Sequence, residues 1–169
     1  MALSMYTASV PQFTRILGNL VSWFAKAEAH AEAKKFDPSV YFELRLAPDM
    51  LAFAKQVQIA CDTVKFAVAR LSDVEAPKFE DNEKTFAELR QRVQRTLDYI
   101  QSVPADKIDG TDAKEVTLPR RDGPLTMTGE AYLQRFVLPN FFFHATMTYA
   151  LLRQAGVDLG KMDFLGALK

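Results

Sequence analysis

FVLPNFFFHATMTYALLRQAG, Phe136 to Gly156, is the stretch whose reading decides the fold. On a helix of about 3.6 residues per turn, Leu133, Val137, Asn140, His144, Met147, Leu151 and Ala155 fall on one face. That face is the apolar one, so it is expected to point inward. Asn140 and His144 then lie mid-stripe, i and i+4, stacked one above the other. A buried polar group left unpaired costs about 1–3 kcal/mol, so both side chains need partners inside the protein. Pro139 predicts a kink near Asn140, Thr128 is a fair N-cap for a helix over 129–155, and Gly156 is a natural terminator.

Upstream, the same periodicity recurs. Phe13, Ile16, Leu17, Leu20, Phe24 and Ala27 make the stripe of a first helix that starts at Ser4 or Ser9 and runs to Ala33, with Pro11 in its first turn or at a kink. Asp37-Pro38 predicts a short capped helix over 38–44. Pro48 is expected to open a second long helix to Ser72, with Met50, Phe53, Val57, Ala60, Cys61, Val64, Val68 and Leu71 inward. Gln56 lies about a quarter turn from that stripe, and Asp62 points away from it. The segment DVEAPKFED is a linker. Asp81 or Asn82 is expected to cap a third helix with Phe86, Leu89, Val93, Leu97 and Ile100 inward, leaving Arg90, Arg92 and Arg95 in solvent. Residues 115–119 and 124–128 alternate like strands around Arg-Arg-Asp-Gly, predicting a hairpin with a four-residue loop. A lone hairpin is marginal in water, so it should pack on the helices or on a partner chain. The tail carries Phe164 and Leu165 and is expected to fold back over one end of the bundle.

Four amphipathic segments of about 20–30 residues argue for an all-α four-helix bundle with a short hairpin between the third and fourth helices. The length of 169 residues suits one domain over 1–169. A formal net charge of zero implies no broad basic surface for nucleic acid. The single Cys61 excludes an intramolecular disulfide framework and fits a reducing cytoplasm. Its central place in a stripe reads as a small core hydrophobe. No apolar run reaches the roughly 18 residues of a membrane span, and no secretory leader is evident. His30, set among Ala and charged residues, reads as a surface histidine.

The run from His144 through Arg153 to Gly156-Val157 resembles the fourth-helix signature of the DinB/YfiT-like superfamily. In that superfamily a metal-binding His precedes an Arg by nine residues, in a segment closing on Leu-Arg, two variable residues and Gly-Val. Further motifs, Ser4-Met-Tyr6, Arg45-Leu-Ala-Pro-Asp-Met50, Gln56-Val-Gln-Ile-Ala60, Pro139-Asn-Phe-Phe-Phe-His144 and Leu159-Gly-Lys-Met-Asp-Phe-Leu-Gly166, resemble a bacterial branch catalogued as a domain of unknown function. The resemblance implies a DinB-like bundle and a site of three His for a divalent metal, used in several characterised members for transferase or isomerase chemistry with a low-molecular-weight thiol. Two of the three positions here carry amides, Gln56 and Asn140, with His144 in the third. A carboxamide oxygen is a poor ligand for zinc or nickel beside imidazole. The expectation is therefore a degenerate, metal-free site in which Gln56, Asn140 and His144 form one amide–imidazole cluster lining an interhelical cleft for a small molecule. The alternatives are a purely structural bundle and a metal- and thiol-dependent transferase. Acid–base chemistry by His144 alone ranks below all of these, because no carboxylate or nucleophile is placed beside it. A homodimer is expected as the assembly.

Overall fold

The computed structural model describes residues 3–167. Four long helices carry the core: α1 (Val10–Lys34), α2 (Phe53–Ser72), α3 (Phe86–Ser102) and, after a hairpin and a short α4 (Gly129–Tyr132), α5 (Leu138–Gln154). Each packs on two others in the cyclic order α1–α3–α2–α5. The four-helix bundle expected from the stripes is thus the observed architecture. Its inward residues include Phe13, Leu20, Phe24, Val57, Val64 and Leu89, all buried. Phe24, Phe42, Phe53 and Phe86 meet edge-on or tilted with centroids 5.2–6.1 Å apart, within the range where aromatic pairs add to area burial.

Several boundaries differ from the sequence reading, each for a local reason. Pro48 does not open α2. It occupies the second position of a turn closed by Met50 N–H to Ala47 C=O at 3.0 Å, and α2 begins at Phe53. Pro favours that turn position as much as a first helical turn. The cap of α3 is Thr85, not Asp81 or Asn82: Thr85 Oγ1 accepts from Glu88 N and Glu88 Oε2 accepts from Thr85 N, a full capping box. Strands β1 (Glu115–Leu118) and β2 (Leu125–Thr128) pair antiparallel from Glu115↔Thr128 to Leu118↔Leu125, so the connection is six residues rather than four. Pro119 and Pro124 cannot donate to the ladder and fall outside it. Val116 and Leu118 of β1 turn inward.

The fourth helical stretch is irregular one turn before Asn140, where a kink was expected. Leu133–Val137 forms a π-turn, with Leu138 N–H bonded to Leu133 C=O. Pro139 has no N–H to offer the preceding turn, and a wide turn just before it absorbs that gap. The consequence is rotational. Beyond the π-turn the inward residues are Phe141, His144, Ala145, Thr148, Leu151 and Leu152. Asn140 and Met147, expected mid-stripe, are half-buried at its border. Gly156 ends the helix at φ 94°. Its N–H reaches Arg153 C=O and that of Val157 reaches Leu152 C=O, the paired closure of a Schellman motif.

The tail forms α6 (Lys161–Leu165), which lies along α1. Trp23 Nε1 donates to Asp163 C=O at 3.0 Å, Phe164 stacks on Trp23 at 5.6 Å, and Lys26 pairs with Asp163 at 2.7 Å. His30 is not a solvated surface residue. Lys35 reverses the chain at φ 60°, bringing Phe36 and Tyr41 back over α1, and His30 Nδ1 lies 2.7 Å from the Tyr41 hydroxyl.

Candidate functional site

The α2–α5 seam carries the polar residues singled out above. Gln56 is buried on α2. Its Nε2 donates to Leu51 C=O at 2.9 Å, which fixes the orientation of the amide. Oε1 therefore faces α5, where it lies 2.7 Å from His144 Nδ1. An amide oxygen only accepts, so Nδ1 carries the proton and Nε2 holds the lone pair in the neutral ring. Asn140 does not join this pair. One turn earlier on α5, its Nδ2 donates to Thr63 Oγ1 at 2.7 Å, and Thr63 in turn donates to Ile59 C=O. The expected single cluster of three is thus two separate cross-links along one seam. The inward stripe beyond the π-turn leaves Asn140 at its border, where its amide is bonded to a threonine of α2.

Burial holds the His144 imidazolium down, below its ordinary value of 6.5. The folded value lies below the unfolded one, so between the two the unfolded chain binds more protons. The stability contribution of neutral His144 is full above the unfolded pKa and is lost as pH falls from there through the folded pKa. An NMR titration of the His144 ring should give a midpoint below 6.5, and a midpoint above that would contradict the buried Gln56–His144 geometry.

Past Asn140 the seam opens into a cleft of about 360 Å³. One wall is a second stripe of α2, Ile59, Thr63, Phe66 and Arg70, spaced i, i+4, i+7, i+11. The opposite wall is Tyr132, Phe136 and Asn140, with Tyr132 and Phe136 stacked at 6.0 Å. Leu118 and Leu125 of the hairpin roof it. β1 gains packing through buried Val116 and Leu118, while β2 stays largely exposed. This second stripe of α2 is visible in the sequence once the hydrophobic face is set aside, yet only the fold supplies its opposite wall.

A buried charge network is the feature that periodicity missed. Arg92, expected in solvent, is 3% exposed. Its guanidinium lies 3.1 Å from Asp62, 2.9 Å from Asp81 and 2.9 Å from Glu83. Lys65, 2% exposed, pairs with the same Asp62 oxygen at 2.9 Å and stands 4.1 Å over the Phe79 ring. The stretch read as a linker is therefore strapped to α2 and α3 through Phe79 and Asp81, and Glu83 just beyond it adds a third hold. The available signal was register: Leu89, Arg92 and Thr96 share a face of α3. Burial pushes the Cys61 thiol up to about 12, which fits an inert core cysteine.

A metal held as the resemblance implies does not fit this donor set. It comprises one imidazole and two carboxamides, Gln56 Oε1 is committed to His144, and Asn140 is turned to Thr63. Among the described residues no group of three His, Cys, Asp or Glu side chains is disposed around one point. No helix among them is long and apolar enough to cross a membrane.

Comparison with known proteins agrees with the fold. The family model described as Domain of unknown function (DUF1993) matches residues 5–165. No curated protein matches. A DinB family member protein from Shewanella denitrificans, known from a crystal structure at 1.83 Å resolution, is similar at 42% identity over 96% of this chain and 92% of that chain, with a TM-score of 0.91.

Proposed function

The chain belongs to the family described as a domain of unknown function, DUF1993, with the fold of a DinB family member, and from that premise we propose that it is a small-molecule-binding bundle working without a bound metal. The ligand occupies the cleft between α2, α5 and the hairpin. Gln56, Asn140 and His144 form the polar seam beside it, with Asn140 in the cleft lining and the buried Gln56–His144 pair one turn of α5 further along. The observation that supports this reading is the cleft itself: about 360 Å³, within the roughly 300–1,000 Å³ typical of ligand sites, with aromatic walls and few polar groups.

Two measurements test it. A neutral apolar probe, decanol, should perturb the amide resonances of Ile59 to Arg70 and of the hairpin in the full chain. Ile59→Trp, which fills the cleft from its α2 wall, should abolish that response. Decanol perturbing nothing, or perturbing a face elsewhere, would remove the cleft from consideration. Metal analysis of untagged protein should give substoichiometric zinc and nickel. One equivalent of either would favour the alternative, a metal-dependent transferase using a low-molecular-weight thiol.

A further inference from the structure

Arg70 carries a charge that the cleft leaves unmatched. It sits on the last turn of α2 and is half-buried among apolar lining residues. Its Nη1 donates to the Tyr132 hydroxyl at 2.9 Å. The guanidinium centre is 5.2 Å from the Phe66 ring centroid and 5.8 Å from that of Tyr132. These contacts hold a planar cation in place without neutralising it. Among the described residues, no carboxylate forms an ion pair with Arg70.

The other charges around the cavity are accounted for. Arg120 is held by both oxygens of Asp122, at 3.0 and 2.9 Å. Asp62 also lines the cleft, but its Oδ1 is shared by Lys65 and Arg92. What remains, among the described residues, is a largely apolar cleft in which Arg70 is the positive charge without an ion-pair partner. The bond to Tyr132 uses Nη1 and, among the described residues, leaves the Nε–Nη2 edge of Arg70 unengaged. That edge presents two parallel N–H groups, the geometry that a planar carboxylate accepts side-on.

Resting on the cleft reading above, we infer that the ligand is an amphipathic carboxylate. Its apolar chain or ring lies between Phe66, Phe136 and Leu118, and its carboxylate takes the free edge of Arg70. Tyr132 is the positioning residue: it orients the guanidinium from behind while its own ring forms part of the wall. A neutral ligand would leave a half-buried cation without a counter-charge, and a cationic one would add repulsion to that cost.

Calorimetric titration of the full chain with decanoate, decanol and decylamine separates the possibilities. Decanoate should bind at one site, about tenfold or more tighter than decanol, as expected for a charge-assisted contact, with decylamine weakest. Arg70→Gln keeps a donor for the Tyr132 hydroxyl. It should weaken decanoate about tenfold or more while leaving decanol within about twofold. Equal affinity of wild-type protein for decanol and decanoate would overturn the carboxylate inference and leave the cleft reading standing. Decanoate binding untouched by Arg70→Gln would place the anion elsewhere and overturn it too. If none of the three binds, the cleft reading itself fails. The ranking of the three probes on wild-type protein stands on its own if the variant does not fold.

Discussion

Replacing Arg92 by Ala should destabilise the protein by about 3–5 kcal/mol, the usual consequence of removing one partner from a buried ion network. The reason is what the substitution leaves behind. Asp62, Asp81 and Glu83 converge on the guanidinium, and Glu80 C=O also accepts from it, at 3.2 Å. Without Arg92, Asp62 keeps Lys65 and Asp81 keeps Lys55. Among the described residues, Glu83 retains only the amide of Gln58, at 2.9 Å. That carboxylate would have to stay buried unpaired, protonate, or pull the strap away to reach water. The third course is the least costly, so the segment from Val74 to Lys84 should become sensitive to proteolysis at the same time. Chemical denaturation measures the first effect and limited digestion the second. A loss below about 1 kcal/mol would mean that the network behaves like an exposed surface pair.

The same network shows where sequence reasoning stops. Periodicity located α1, α2 and α3 because their inward residues are nearly all apolar, and the spacing alone selects a face. It fails where a charged side chain occupies the inward face, since the pattern registers Arg92 as a break. Only the convergence of Asp62 from α2 with Asp81 and Glu83 from the strap makes that position tolerable, and those partners come from distant parts of the chain. His30 failed for a related reason: what covers it is a reversal at Lys35, and nothing in its own helix records that. The site was legible to a finer degree. The family motif paired Gln56 with His144 across two helices, and the two are in hydrogen-bond contact. It also suggested Asn140 as the third member. An unbroken helix over 129–155 would put Asn140 and His144 on one stripe. The π-turn rotates the stripe, and Pro139 marks the neighbourhood of that irregularity without specifying its width. The DinB-type bundle was readable, therefore, while the division of the polar trio into two cross-links was not.

Replacing His144 by Ala is expected to cost about 2–4 kcal/mol, combining a cavity with the loss of a buried hydrogen bond. The ring is 7% exposed and stands edge-on to Phe143 with centroids 5.2 Å apart, so its removal leaves a cavity on the α2–α5 seam. Gln56 is the more instructive partner. Its Nε2 is held by Leu51 C=O, so the amide cannot simply turn over to recover an interaction for Oε1. Gln56→Ala alone strands His144 Nδ1–H and also frees the Leu51 carbonyl. The double variant removes both ends of the 2.7 Å bond and should cost less than the sum of the two single changes, by about 0.5–3 kcal/mol. Asn140→Ala offers the contrast. Its bond runs to Thr63, which still reaches Ile59 C=O, so its cost should add to that of His144→Ala. Urea unfolding of the singles and doubles decides between the two arrangements. Coupling of His144 to Gln56 but not to Asn140 supports two separate cross-links, whereas equal coupling to both amides would restore a single cluster of three.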